Sequence, residues 1–329
     1  MSALDPDPTL DGPARGRGIL AVLVDGRSVE LLEAVRDWAD RGTLEFAVAY
    51  AGKPLSDRIT RFNEMGLLAK RSARGGRRGH EYGLTAAGEA ALALREHLAA
   101  AAGGLDAAHG ERAKLVAASV RGRWDLVVGR VVLDGAERFT DVLRVARGLA
   151  RSWAMEEADL SRAGLTRRLR RLEQLGVVAV KPAPQRRAVR YTPGPRMWRV
   201  ARPALAVSLW HCCHRPQSIP PVAGDLLALI EMLIDRVQLD RDLDGTTIVL
   251  HVQPPEGTRG WLDAPLCVEE RRLHVLPGAP DSPTAYVEGP LRSFCEALLG
   301  GDFGKLTIDG ERPKALSVLT SLTAAMRES

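Results

Sequence analysis

An internal repeat constrains this chain of 329 residues more than any other feature of its sequence. Residues 55–69 align without a gap on residues 165–179. The identical aligned positions are Leu55 and Leu165, Arg58 and Arg168, Arg61 and Arg171, Gly66 and Gly176, and Ala69 and Ala179. Past a one-residue deletion the match continues, with Arg77, Arg78 and Tyr82 recurring as Arg186, Arg187 and Tyr191. The sequence therefore predicts that one supersecondary unit is built twice.

Each copy shows the same order of local signals. In the first copy Leu55, Ile59 and Phe62 follow at i, i+4 and i+7, which predicts an amphipathic helix. Gly66 is placed to end that helix, and a short apolar strand, an Arg-rich turn and a return strand ending at Tyr82 follow. This order is typical of a winged helix-turn-helix. The first hypothesis is therefore a DNA-binding protein with two such units.

The charge of the chain is unevenly distributed. The net charge is +5, but residues 1–224 carry +12 and residues 225–329 carry −7. This asymmetry favours a nucleic-acid-binding part joined to a part with another task. Of the 46 basic residues 40 are Arg, whose planar fork suits phosphates and guanine edges. A GC-rich genome would also favour Arg over Lys, but it would not explain the asymmetry.

The two predicted third helices and the two wing turns contain the candidate DNA contacts. A helix in the major groove uses its early residues for bases and phosphates, and wing arginines can hold phosphates or enter a minor groove. The candidates are Lys53, Ser56, Arg58, Thr60, Arg61, Arg74, Arg77, Arg78, Thr166, Arg167, Arg168, Arg170, Arg171, Arg186, Arg187 and Arg190. Two alternatives stay open: the wing turns are merely solvated, or the helix arginines pair with Glu156, Glu157 or Glu173.

The second copy resembles a known family. Arg123-Trp124, Asp134-Gly135, Arg138-Phe139, the run of residues 165–178 and Arg190-Tyr191-Thr192-Pro193 resemble the HxlR group of winged-helix transcription regulators, relatives of MarR. The resemblance implies a homodimer on palindromic or direct-repeat operators. The first copy matches that pattern only over residues 55–88. The second departs from it by an insertion at residues 151–159.

The acidic C-terminal part has the sequence pattern of an α+β sandwich. Helices are predicted over residues 226–237, 290–299 and 313–326, from apolar residues on one helical face. Strands are predicted over residues 246–252, 266–268, 272–276, 285–288 and 306–309. A sheet with helices on one face is the expected architecture.

Two segments of this part, residues 287–302 and 306–311, resemble the sterol-carrier-protein-type fold. In that family the final helices and the sheet enclose an apolar tunnel for lipids or other hydrophobic small molecules. The resemblance makes six apolar residues candidates for pocket lining: Leu291, Phe294, Leu298, Leu319, Leu322 and Met326. The alternative is that these residues are plain core.

The sequence lacks the motifs of common catalytic sites. There is no P-loop, dinucleotide-binding turn, H-E-x-x-H helix or nucleophile elbow, so we expect no enzyme and no cofactor. The cluster of residues 211–214, His-Cys-Cys-His, lacks zinc-site spacing, and a redox role or helix-end packing stays open for it. Four cysteines form no disulfide framework in a chain of this length. No signal peptide or membrane span is indicated, and we expect a cytoplasmic protein.

The fold class expected is α+β, with two winged helix-turn-helix domains followed by the sterol-carrier-type sandwich. The expected segments are a disordered tail at 1–17, winged-helix domains at 18–100 and 113–210, linkers at 101–112 and 211–221, and a ligand-binding domain at 222–329. The expected function is sequence-specific transcription regulation on double-stranded DNA by a homodimer that a hydrophobic small molecule regulates. A protein that sequesters small molecules and a DNA-processing enzyme are the alternatives.

Overall fold

The protein was analysed as a computed structural model, which describes residues 19–48, 50–73, 79–102, 111–121, 123–152, 160–182, 189–214, 223–254, 261–276 and 278–328. It is a mixed α+β structure. The chain divides into two compact units, residues 1–118 and 119–329. Among the described residues, no helix is both long enough and apolar enough to cross a lipid bilayer. The expected tail at residues 1–17 lies outside the described part.

The first unit alternates short helices with a three-stranded sheet. Its elements are α1 (Ile19–Leu23), α2 (Gly26–Ala34), β1 (Ala39–Asp40), α3 (Arg41–Ala47), α4 (Lys53–Glu64), β2 (Leu68–Ser72), β3 (His80–Leu84) and α5 (Ala86–Ala102), followed by α6 (Glu111–Arg121), within which the unit boundary lies. The strand order is β1-β3-β2, all antiparallel.

Local chemistry explains where α4 and α5 begin and end. Pro54 lies in the first turn of α4, where its missing N–H costs no hydrogen bond. The predicted stripe of Leu55, Ile59 and Phe62 is buried, and Gly66 then adopts the left-handed conformation at φ 70°. The Thr85 hydroxyl accepts from the N–H of Gly88 at 3.1 Å, which caps the start of α5.

The second unit begins with the same arrangement. It comprises α7 (Arg123–Leu133), α8 (Phe139–Ser152), α9 (Arg162–Gln174), β4 (Val178–Pro182), β5 (Val189–Pro193), a 3₁₀ turn (Met197–Val200) and α10 (Ala201–His214). The N–H of Tyr191 donates to the carbonyl of Glu137 at 2.8 Å. This single hydrogen bond lies where β1 pairs with β3 in the first unit, since Ala39 there lies opposite Tyr82.

The structure confirms the repeat down to its strand register. Lys70 lies opposite Tyr82 in the first hairpin, and Val180 lies opposite Tyr191 in the second. These pairs occupy equivalent positions in the sequence alignment. Gly176 adopts φ 73°, close to the value of Gly66. The two copies therefore share the left-handed glycine that ends the helix, the length of the hairpin strands and the pairing of those strands.

The rest of the second unit is a five-stranded sheet with helices. Its elements are α11 (Ala223–Leu233), β6 (Thr247–Gln253), β7 (Leu262–Glu269), β8 (Arg272–Val275), β9 (Ala285–Pro290), α12 (Leu291–Gly300), β10 (Thr307–Gly310) and α13 (Arg312–Arg327). The strand order is β10-β9-β6-β7-β8, with β9 parallel to β6 and the other pairs antiparallel. All five predicted strands and three predicted helices are present. β7 starts four residues before the predicted strand. The prediction began after Pro265 because proline ordinarily disfavours strands, whereas β7 runs through it.

The two faces of this sheet differ in composition. Strand β9 alternates buried Ala285 and Val287 with exposed Tyr286 and Glu288. A Cβ on Gly289 would lie 2.7 Å from the side chain of Leu306, so the face of Ala285, Val287 and Gly289 is the covered one. Helices α12 and α13 pack against β9 there. The opposite face, which carries Tyr286 and Glu288, is called the open face below.

Candidate nucleic-acid interface

Helix α9 is held by a cap and a buried stripe. The hydroxyl of Ser161 accepts from the N–H of Gly164 at 2.9 Å, so the helix starts before the gap-free repeat begins. Leu165, Leu169 and Leu172 are at most 2% exposed. Of the four neighbouring arginines of this helix, Arg168 and Arg171 are half-buried, and Arg167 and Arg170 are exposed.

Two of the arginines point inward and bind a carboxylate. Arg168 donates from Nη1 to Asp125 Oδ1 at 3.0 Å, and Arg171 donates from Nε to Oδ2 at 2.8 Å. Asp125 belongs to α7 and is 2% exposed. Burial raises the pKa of Asp125, and the charges and hydrogen bonds of Arg171 and Arg168 oppose that rise. Arg168 and Arg171 thus pair with Asp125 and not with Glu173, and these contacts hold α9 against α7.

Arg167 and Arg170 are exposed, and so is Arg162 in the first turn. At 3.6 residues per turn Arg167 and Arg170 lie about 165° and 135° from the middle of the leucine stripe, whereas Arg162 lies only about 55° from it. None of the three forms an ion pair with a described residue. Arg162 is not among the contacts predicted from the sequence, although Ser161 before it signals a helix start that would include it. We call Arg162, Arg167 and Arg170 the outer arginines, and Arg168 and Arg171 the inner arginines.

The first unit repeats the inner pairing. Arg58 of α4, which aligns with Arg168, donates from Nη2 to Asp25 Oδ2 at 3.1 Å and lies over the ring of Tyr50. Burial alone would raise the pKa of Asp25, but hydrogen bonds from Ser28 and Arg58 bring that pKa below its usual value. In both units the recurring arginine is therefore bound to an Asp at the start of an earlier helix.

The solvent side of α4 differs from that of α9. Lys53 and Thr60 are exposed there, together with Asp57 and Glu64. Charges of opposite sign leave this side without the positive excess of the outer arginines. A phosphate backbone would be attracted more strongly to α9 than to α4.

The remaining candidates fall into two groups. Some are described and have intramolecular partners: the hydroxyl of Ser56 donates to the carbonyl of Gly52, that of Thr166 donates to the carbonyl of Arg162, and Arg190 pairs with Glu137 at 3.3 Å. Arg61 is half-buried. The wing candidates lie outside the described residues: Arg74, Arg77, Arg78, Arg186 and Arg187. Glu156 and Glu157 lie outside them as well.

Helix α7 also contacts the C-terminal sheet part. Arg130 pairs with Glu231 of α11, a carboxylate that is only 5% exposed, and with Asp134 at 2.8 Å. A Cβ on Gly129 would lie 2.8 Å from Met232, so glycine lets α11 approach closely here. One helix thus holds the inner arginines through Asp125 and the C-terminal part through Arg130.

The six candidate pocket residues lie in the core. Each is at most 2% exposed: Leu291, Phe294, Leu298, Leu319, Leu322 and Met326. They belong to α12 and α13, which cover the sheet. A concave site instead lies on the open face, where His251, Tyr286, Glu288, Thr307 and Asp309 line a depression of about 280 Å³.

The His-Cys-Cys-His cluster ends α10 and packs on aromatic and charged neighbours. The rings of His211 and His214 lie 5.3 and 5.7 Å from the ring of Trp210. Burial raises the pKa of Cys212 to about 11 and also raises that of Cys213. Both thiols are therefore weak nucleophiles at neutral pH. The described residues contain no group of three or more metal-binding side chains.

No protein-family model, curated protein or solved structure matches this chain. Its function therefore has to follow from its own contacts and charges. Of these, the outer arginines provide what phosphate binding requires, which is exposed positive charge that forms no ion pair with another described residue.

Proposed function

We propose that the protein is a DNA-binding transcription regulator with two winged helix-turn-helix units and a C-terminal sterol-carrier-type domain. The order of elements supports this proposal. In each copy an early helix is followed by a second helix, a third amphipathic helix, a left-handed glycine and an antiparallel hairpin. In such a fold the third helix enters the major groove and the hairpin contacts the flanking backbone.

The observation that carries the proposal is the division of the α9 arginines. The inner arginines are both bound to Asp125, whereas the outer arginines are exposed and form no ion pair among the described residues. Like charges at helical spacing repel one another, so leaving them unpaired destabilises the isolated protein. DNA phosphates would relieve that repulsion, and Arg167 or Arg170 would be placed to reach guanine edges.

The two units then contribute unequally. Because the solvent side of α4 mixes Lys53 with Asp57 and Glu64, its phosphate affinity is weaker. Thr60 and Ser56 are short hydrogen-bonding side chains suited to positioning against a backbone or a base. We assign most of the affinity to α9 and a positioning role to α4.

A route for regulation runs through α7. A ligand changes DNA affinity only if it binds two conformations of the protein differently. Any displacement of α11 against α7 would act on the Arg130–Glu231 pair, and α7 carries Asp125, which holds the inner arginines. A small molecule bound by the C-terminal domain could therefore shift α9. The proposal includes a homodimer, because operators with two half-sites require two copies. It also includes a cytoplasmic location.

The test is a salt series of DNA binding. Genomic fragments retained by the purified protein would be sequenced, and the affinity for the recovered site would be measured from about 50 to 200 mM salt. Log K falls as log salt rises, and each lost phosphate contact makes this slope less steep by about 0.9. We expect the variant R162A/R167A/R170A to reduce the magnitude of the slope by about 2 to 3 for each bound subunit and to weaken binding over the whole series.

The matched control replaces two exposed arginines of the acidic part, in the variant R241A/R312A. That control should leave both slope and affinity unchanged. An unchanged slope in the outer-arginine variant would refute the assignment of α9 as the DNA-contacting helix. Binding without any recurrent sequence would refute sequence-specific regulation.

A further inference from the structure

The open face of the C-terminal sheet gathers side chains that the proposed DNA contacts do not use. Strand pairing fixes their neighbours: His251 lies opposite Glu288, Glu288 opposite Thr307, and Tyr286 opposite Asp309. Residues directly opposite in a ladder present their side chains on the same face, with Cβ atoms about 4.5–5.5 Å apart. These five residues therefore form one continuous surface, and they line the depression of about 280 Å³.

A stacked aromatic pair lies at this depression, because His251 lines it and Trp261 stacks on His251. The imidazole of His251 lies parallel to the indole of Trp261, with 4.2 Å between ring centroids and 15° between planes. His251 Nδ1 lies 2.5 Å from Asp263 Oδ1, a contact that fixes the orientation of the ring. Trp261 is nevertheless 47% exposed and Tyr286 is 43% exposed. Large apolar rings exposed beside a concave surface are typical of ligand sites.

The remaining lining is acidic. Glu288 and Asp309 are exposed, lie on neighbouring strands, and sit diagonally at a separation of about 7–8 Å. Neither carboxylate forms an ion pair within the described part of the chain. The C-terminal part as a whole carries a net charge of −7 over residues 225–329. The surface thus combines exposed aromatic rings with unpaired negative charge.

We propose that this depression binds a small organic cation that carries an aromatic or other flat apolar group. The cation would lie between Glu288 and Asp309, and its flat part would contact the rings of Tyr286 and His251, the second of which is backed by Trp261. Cations are attracted to aromatic faces and to carboxylates alike, whereas an anion would be repelled. This inference deepens the small-molecule part of the proposed function. It moves the ligand from the apolar core, which the six buried residues fill, to the open face of the sheet.

The test measures binding of the fluorescent cation rhodamine 6G by fluorescence anisotropy. We expect saturable binding with a Kd below about 1 mM. Benzyltrimethylammonium should displace the dye, whereas the neutral benzyl alcohol, which lacks only the cationic group, should not. The variant E288Q/D309N should weaken dye binding about fivefold, and W261A should weaken it by a similar factor. All three positions are exposed, so these variants should fold as the wild type does.

The control D242N removes an exposed carboxylate of the same part outside the depression. It should leave the Kd unchanged. Three outcomes would overturn the proposal: no saturable binding of either cation, an unchanged Kd in E288Q/D309N, or equal competition by benzyl alcohol. The dye assay contains no DNA, so its failure is separable from failure of DNA binding. The outer-arginine variant should bind the dye normally even where it no longer binds DNA.

Discussion

Replacing Asp125 by Asn tests whether the inner arginines are structural. Asn has nearly the same shape as Asp but lacks its charge, and its NH₂ group would face a guanidinium. In the wild type, Asp125 accepts from Arg168 at 3.0 Å and from Arg171 at 2.6 and 2.8 Å. Removing one partner of a buried ion pair costs about 3–5 kcal/mol, because the other partner is left buried and unpaired.

The expected magnitude is somewhat smaller than that range. Arg168 and Arg171 retain 24% and 18% exposure, so both can recover part of their hydration. We therefore expect D125N to lower the free energy of unfolding by about 2–4 kcal/mol. For a unit of the size of residues 119–329 this corresponds to a fall in Tm of roughly 5–12 °C. Urea unfolding followed by tryptophan fluorescence, together with calorimetry, would measure both quantities.

Two further variants check the reasoning. R167A/R170A removes two outer arginines and should change the free energy of unfolding by less than about 0.5 kcal/mol. The triple variant D125L/R168M/R171M replaces the whole ion group by apolar side chains and should recover much of the stability lost in D125N. A D125N protein as stable as the wild type that no longer binds DNA would refute the structural role. A large loss of stability in R167A/R170A would refute the division into inner and outer arginines.

Three other predictions concern the core, the repeat and the thiols. F294A should lower the free energy of unfolding by about 3–5 kcal/mol, as expected for a packed core; a loss below about 1 kcal/mol would instead indicate an existing cavity at this site. G66A and G176A should each destabilise the protein by about 1–2 kcal/mol in urea unfolding, because both glycines have left-handed φ angles; no loss at either would contradict the shared helix ending. Alkylation of Cys212 should be slow at pH 8 and accelerate toward pH 11. Its pKa of about 11 leaves roughly a hundredfold less thiolate at pH 8 than the ordinary value of 9.0 would. Modification of the folded protein at pH 8 as fast as that seen in urea would contradict this.

Periodicity and glycine positions predicted the elements of this fold well. The stripes of Leu55 and Leu165, the helix stops at Gly66 and Gly176 and the five C-terminal strands all appear in the structure. These signals are local, since each depends on residues within one or two turns or along one strand. The start of α9 was less certain, because Gly164 is a poor helix former and the capping role of Ser161 competed with that of Thr166.

Side-chain partners were harder to predict because they join distant segments. Asp125 precedes Arg168 by more than forty positions, and nothing local marks it as a partner. Helical position gives only part of the answer: at 3.6 residues per turn Arg168 lies about 65° from the middle of the leucine stripe, but Arg171 lies nearly as far from it as the exposed Arg170. The open face of the sheet was similarly visible in the alternation of Tyr286 and Glu288 with buried neighbours. The depression on that face was not visible in the sequence, since it depends on the pairing of three strands.

The identical residues of the repeat and its differing residues have separate tasks. Leu55, Arg58 and Gly66 recur as Leu165, Arg168 and Gly176, and in both copies they bury a stripe, bind an Asp and end a helix. These are requirements of the fold, so they persist wherever the unit is built.

The positions that face solvent have diverged instead. Thr60 and Asp57 of α4 align with Arg170 and Arg167 of α9. Within α4 and α9, identity between the copies therefore marks the scaffold, and difference marks the surface that would contact DNA. It follows that replacing both of these α4 residues by Arg, in the variant D57R/T60R, should steepen the salt dependence of DNA binding by up to about 2 in slope for each bound subunit if α4 also lies against the backbone. An unchanged slope would mean that α9 alone contacts DNA and that the first unit is a scaffold.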